Sequence, residues 1–169
     1  MTVDNESAFS LGSAECRRTK TTSRRDTDQA ISQQNVDLIR NLYDLGDFLS
    51  ITPDQVDDVF RDYLDAEFEV RLPPDYPEGE PVFRGREGTL RMIAMLRETW
   101  GEWNFAPERF LDAGDHVVVF ARIEAEGGAS GVPIELETTH VWTIRRGRAV
   151  SMHVYRDRSE ALEAAGLSE

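Results

Sequence analysis

The 169-residue chain carries a formal net charge of −13, and 40% of its residues are hydrophobic, which predicts one soluble domain with a substantial core. The acidity argues against nucleic acid and against an anionic membrane as partners, because both require a basic protein face. Cys16 is the only cysteine and no apolar run reaches membrane-spanning length, so we expect no internal disulfide and a cytoplasmic location.

The first 30 residues are predicted to form a disordered tail, and residues 31–169 a single domain. The tail has few apolar residues and no periodicity, so it cannot bury enough surface to order itself. It contains five basic and five acidic residues, so the net negative charge belongs to the remainder of the chain.

Three helices are expected before the main run of strands. The first covers about residues 32–45 and ends at Gly46. The second is marked by a capping box that begins at Thr52, with a proline at the first helical position. Alternation predicts a short strand at 68–72, and the third helix covers about 87–100.

The second half of the chain is predicted to be rich in strands. Two strands are expected at 105–111 and 116–126, followed by a hairpin over 136–157 with a tight turn at 145–148. A short final helix is capped by Asp157. Helices gathered before hairpin-linked strands predict an α+β fold, with the helices packed on a curved, mostly antiparallel sheet. Such a sheet forms a cone whose mouth can hold a ligand.

Alternation within the hairpin sorts its side chains onto two faces. The first face comprises Leu136, Thr138, His140, Trp142, Ile144, Val150, Met152, Val154 and Arg156. The predicted pocket wall on this face is formed by His140, Trp142, Met152, Val154 and Arg156, with Leu136 and Thr138 as further candidates. The opposite face includes Thr139, Val141, His153 and Tyr155.

Several motifs resemble one known superfamily. They are NVDLIRNLY at 35–43, FRGREG at 83–88, HVWTI at 140–144 and YRDR at 155–158. Together they resemble the nuclear-transport-factor-2-like superfamily and, within it, the SnoaL-like group of polyketide cyclase relatives, over roughly residues 35–167. The resemblance implies the cone fold and a homodimer packed through the outer sheet face. The candidates for that dimer surface are Tyr155, His153, Val141 and Thr139.

The catalytic groups of the superfamily's enzymes are not matched here. The resemblance places the pocket aspartate of a polyketide cyclase at Val154. It places the base of a ketosteroid isomerase at about Leu72, its first-helix tyrosine near Ile39, and its second oxyanion group at about His140. Aliphatic side chains cannot transfer a proton, so we expect a pocket that binds a small hydrophobic molecule without the known chemistry.

An acid/base lyase or isomerase is the alternative function. It would pair His140 with a pocket carboxylate such as Asp75, or use Arg156 to hold an anionic substrate. His140 is equally compatible with a core histidine bonded to a neighbouring backbone group. Because an arginine on an apolar face needs a carboxylate, Arg156 is expected to pair with Asp75, Glu67 or Glu69 ahead of any ligand.

The predicted site therefore has two parts. The catalytic candidates are His140 and Asp75, and the pocket candidates are Trp142, Met152, Val154, Arg156, Leu72, Ile39 and Tyr43. Scattered histidines without cysteine in the folded region predict no metal site, and the absence of a phosphate loop or dinucleotide fingerprint predicts no cofactor.

Overall fold

The computed structural model describes residues 24–74 and 82–168, which contain four helices and six strands. The helices are α1 (Arg24–Tyr43), α2 (Pro53–Asp62), α3 (Gly85–Thr99) and α4 (Arg158–Ala164). The strands are β1 (Leu64–Arg71), β2 (Val82–Arg84), β3 (Trp100–Ala113), β4 (His116–Gly127), β5 (Pro133–Arg145) and β6 (Arg148–Tyr155).

All six strands form one sheet in the order β2-β1-β6-β5-β4-β3. The contact between β1 and β6 is parallel, and the other four neighbouring pairs are antiparallel. Register shifts interrupt three of these pairings, as bulges do where a sheet bends. The predicted α+β fold with a mostly antiparallel sheet is confirmed.

The two faces of the sheet pack into two separate hydrophobic cores. The larger core lies on the inner face, where α1, α2 and α3 cover side chains such as Val117, Val119 and Ile144. The smaller core lies on the outer face, where Leu162 of α4 packs with Val118. Alternation along β4 therefore sends consecutive valines into different cores.

The β5–β6 hairpin closes through a two-residue turn. Arg146 and Gly147 both have positive φ, at 53° and 73°, as the usual right-twisted hairpin turn requires. Near this turn Thr143 pairs with Ser151 whereas Ile144 pairs with Ala149, so the register of the two strands shifts between Thr143 and Ile144. As a result Ala149 is fully buried in the inner core, whereas Val150, which lies at the register shift, is half-buried.

Helix α1 and strand β2 differ most from the sequence prediction. Helix α1 begins at Arg24, eight residues before the predicted start, so the last seven residues of the predicted tail are helical. These added turns do not contribute to the core, since Ile31 remains 47% exposed, and apolar periodicity therefore could not detect them. Strand β2 was missed because it has only three residues. Residues 1–23 lie outside the described part of the chain.

The capping box at the start of α2 is confirmed. Thr52 accepts a hydrogen bond from the backbone N–H of Gln55, and the Gln55 side chain accepts one from the Thr52 N–H. No helix within residues 24–74 or 82–168 combines the length and the hydropathy that crossing a bilayer requires.

Candidate functional site

Tyr43 is the central residue of the inner face. It is the last residue of α1, and its ring reaches across to the sheet. The ring stacks on Phe105 at a centroid distance of 5.4 Å and meets Phe110 and Trp142 edge-on, each at 5.9 Å. These contacts fix where α1 ends relative to β3 and β5.

The Tyr43 hydroxyl links two side chains of β5. Trp142 Nε1 lies 3.0 Å from the Tyr43 oxygen, and that oxygen lies 2.6 Å from His140 Nδ1. An indole N–H only donates, so the Tyr43 oxygen accepts from Trp142, and its own hydrogen is available to His140 Nδ1. We assign the acceptor role to His140 Nδ1, and hence the ring proton to Nε2, because this tautomer gives the Tyr43 hydrogen an acceptor.

Burial keeps this group of side chains uncharged. Desolvation lowers the pKa of His140 to about 4, so the imidazole is neutral near pH 7. Desolvation likewise raises the pKa of Tyr43 above its ordinary value, although the hydrogen bond from Trp142 opposes that shift. His140 also stacks on Phe105 at 5.2 Å. The site thus provides hydrogen bonds and aromatic surface rather than charge.

Several half-buried apolar side chains continue this face toward solvent. In the strand register Val154 lies beside His140, and Met152 lies beside Trp142. We call the half-buried set that packs against the inner core from α3, β3, β5 and β6 the inner apolar surface. It comprises Met95, Trp103, Phe105, Phe110, Ile134, Leu136, Met152 and Val154.

The structure distributes the predicted pocket residues unevenly. Trp142, Met152, Val154, Tyr43 and His140 come together on the inner face. In contrast, Ile39 and Leu72 are core residues, 0% and 8% exposed. Asp75 lies outside the described residues.

The structure places Arg156 outside the predicted pocket wall, and its expected pairing with Asp75 stays a prediction because Asp75 lies outside the described residues. Arg156 follows the end of β6 at Tyr155 and is exposed, so it does not extend the apolar face. Glu69, one of its expected partners, forms ion pairs with Arg71 and Arg84, both at 2.8 Å. Hydrogen bonds from those two arginines lower the pKa of the Glu69 carboxyl.

The residues expected on the outer face divide into two groups. Val141 packs in the outer core with α4, and Thr139 is also buried, so neither can form a dimer surface. His153 and Tyr155 are half-buried, with ring centroids 6.5 Å apart. Partial burial lowers the pKa of His153 and raises that of Tyr155. The sequence did not predict the cover over Val141, because it did not specify where α4 packs.

An open depression of about 450 Å³ lies elsewhere, between α1 and the β3–β4 turn. Its lining residues are Asp28, Gln29, Ile31, Ser32, Gly114 and Asp115. Within the described residues, no group of three or more His, Cys, Asp or Glu side chains is arranged to hold a metal ion.

Sequence reasoning missed Phe105 and Phe110 as walls of the site. Both residues belong to β3, but a register shift between Pro107 and Arg109 changes the alternation between them. Only because of that shift can an odd-numbered and an even-numbered phenylalanine both touch Tyr43.

Comparison with known proteins identifies the family. Residues 50–152, more than half of the chain, match the model of the SnoaL-like domain. The chain belongs to the SnoaL-like family. No curated protein matches this SnoaL-like chain.

Solved structures share the fold of the SnoaL-like chain at low sequence identity. One is described as a SnoaL-like polyketide cyclase from Jannaschia sp. CCS1, with 22% identity, coverage of 82% of this chain and 96% of that one, and a TM-score of 0.61. TerC, co-crystallized with polyporic acid, has 23% identity, coverage of 79% and 98%, and a TM-score of 0.57. An NTF2-like protein from Burkholderia xenovorans LB400 has 20% identity, coverage of 79% and 95%, and a TM-score of 0.58.

The hydroxyl of Tyr43 should be important for the stability of the SnoaL-like domain. The substitution Tyr43→Phe leaves the Trp142 N–H and His140 Nδ1 without their shared partner, which should lower the free energy of unfolding by about 2 kcal/mol. Urea denaturation measures this change. Tyr63→Phe removes a hydroxyl from another half-buried tyrosine of the same core and should change stability by less than about 0.5 kcal/mol. Equal effects of the two substitutions would contradict the proposed bridge.

Stability should also depend on pH through His140. The unfolded chain takes up a proton at the ordinary pKa of 6.5, whereas the folded chain does so only near 4. The unfolded state therefore binds more protons between these values, and stability falls as pH decreases through that window, by about 3 kcal/mol in total.

Urea denaturation at several pH values from 7.5 to 4.5 tests this dependence. The variant His140→Gln should lose the part of the stability decline that His140 causes, while other titrating groups affect both proteins alike. Parallel pH curves for the two proteins would show that His140 does not titrate as its burial predicts.

Proposed function

We propose that this SnoaL-like protein binds a small, uncharged, apolar molecule against the inner apolar surface. The observation that carries the proposal is the chain of hydrogen bonds from Trp142 through Tyr43 to His140. It provides neutral polar groups inside an aromatic wall, next to apolar side chains that keep partial exposure. Sites for small organic ligands combine these two features.

Each side chain has a distinct part in this proposal. Val154 and Met152 supply aliphatic contact beside His140 and Trp142, and Phe105 supplies an aromatic face. Because His140 Nδ1 accepts from Tyr43, the Nε2–H remains as the donor toward a ligand oxygen. Burial keeps the imidazole neutral, so the ring provides no counter-charge for a buried carboxylate. A neutral ligand acceptor is therefore favoured.

The alternative, acid/base catalysis by His140, has less support. A general base works best when its pKa lies near the working pH, and burial moves the pKa of His140 well below 7. In the described part of the chain, Tyr43 is the only side chain that hydrogen-bonds the His140 ring. Pairing with Asp75 stays a prediction because that residue lies outside the described ranges.

The structural comparison gives separate support for binding. TerC, whose fold resembles this one, is co-crystallized with polyporic acid. At 23% identity the resemblance extends to the fold, so the proposal for this chain rests on its own inner face.

We further propose that the protein is a homodimer, as its family resemblance implies. Helix α4 covers Val141, which restricts the available part of the outer face to the region near β6 and β1. His153 and Tyr155 on β6 are the remaining candidates for that contact, with Arg71 beside His153 in the strand register.

Binding can be tested with tetralin, an uncharged bicyclic hydrocarbon, followed by NMR. We expect tetralin to shift the Trp142 indole N–H and His140 ring signals of the wild-type protein. Val154→Trp should fill the space beside His140 and weaken tetralin binding at least tenfold. Val132→Trp adds the same side chain at an exposed loop position and should leave binding unchanged.

The same experiment separates binding from catalysis. If tetralin causes no change in either signal, the binding proposal fails. The ketone 1-tetralone exchanges hydrogens next to its carbonyl for deuterium when a base removes them. Accelerated exchange by the wild-type protein, with loss in His140→Gln at unchanged stability, would favour the enzyme over the binding protein.

A further inference from the structure

One polar group of the inner apolar surface has no partner. The indole Nε1–H of Trp103 is buried, and it is the one buried side-chain nitrogen or oxygen of the described residues found without a hydrogen bond. Trp142 provides the internal contrast, because its indole N–H donates to Tyr43 at 3.0 Å. The fold thus supplies an acceptor for the Trp142 indole and leaves the Trp103 indole without one.

The position of Trp103 relates this group to the proposed ligand site. Trp103 lies on β3, immediately after a register shift that begins at Trp100. It pairs with Ala125 of β4, which in turn pairs with Ile134 of β5. Its ring packs against the inner core, 6.0 Å from the ring of Trp100. Trp103 therefore shares the face that holds Phe105 and Leu136.

A buried donor without an acceptor costs free energy, and native proteins contain few of them. The indole nitrogen can only donate, so the missing partner must be an acceptor. We propose that Trp103 Nε1–H is a specificity-determining donor that binds an acceptor atom of the ligand. This inference rests on the proposed binding function, since it assigns a contact within the same inner face.

The neighbouring side chains define the chemical class of that acceptor. The inward positions of β5 and β6 carry no charged side chain, because His140 is the only ionisable residue there and it is neutral. A buried carboxylate would lack a counter-charge on these strands and would be costly to desolvate. The expected ligand is therefore an uncharged apolar molecule with a ketone, ester or ether oxygen.

Two matched probes test this contact. The first is 1-tetralone, and the second is tetralin, which has the same bicyclic frame without the carbonyl oxygen. We expect the wild-type protein to bind 1-tetralone about fivefold to tenfold more tightly than tetralin. We expect 1-tetralone, and not tetralin, to move the Trp103 indole N–H signal downfield in the NMR spectrum.

The variant Trp103→Phe removes the donor and keeps an aromatic ring. It should lower the affinity ratio of 1-tetralone to tetralin toward one, and the ratio is the quantity to compare because it cancels general effects on packing. Trp100→Phe removes the neighbouring indole instead and should leave that ratio as in the wild type. The indole N–H signal that is missing from the spectrum of Trp103→Phe is thereby assigned to Trp103.

The outcomes distinguish this inference from the proposed function. If neither probe shifts any inner-face signal, the binding function itself fails, and the inference fails with it. If the probes bind but the affinity ratio of 1-tetralone to tetralin is the same in the wild type and in Trp103→Phe, binding stands and the role of Trp103 is refuted. A ratio that falls only in Trp103→Phe supports both.

Discussion

The arrangement of the inner face depends on one hydroxyl group. Tyr43 ends α1, and its oxygen accepts a hydrogen bond from Trp142 while its hydrogen is donated to His140. A group that accepts and donates at once fixes the orientation of the helix end, the indole and the imidazole together. Without it, three rings would be packed by shape alone, and His140 would have no defined tautomer.

The two faces of the sheet differ in their chemistry. On the inner face, burial keeps His140 neutral, and the polar groups bond to one another rather than to charges. On the outer face, Glu69 pairs with two arginines, and α4 covers part of the sheet. The proposed uncharged ligand therefore fits the inner face, and the proposed dimer contact fits the remaining outer surface.

Much of the fold could be predicted from the sequence because its signals are local. The capping box at Thr52, the turn at Arg146–Gly147 and the alternation of β5 each act over a few residues, and each is confirmed. The site was predicted only in part, because it depends on register shifts and on where elements pack. The shift within β3 brings Phe105 and Phe110 to Tyr43, and no local pattern encodes it. The cytoplasmic location remains a prediction, as does the part of the predicted tail that covers residues 1–23.

Tyr43 is thus expected to fix a neutral His140 with its proton on Nε2. The most direct test is the ¹⁵N NMR spectrum of the His140 ring near pH 7, assigned by comparison with His140→Gln. We predict a protonated Nε2 and an unprotonated, hydrogen-bonded Nδ1, and we predict that the Nδ1 signal shifts in Tyr43→Phe. A doubly protonated ring, or a proton on Nδ1, would contradict this role of Tyr43.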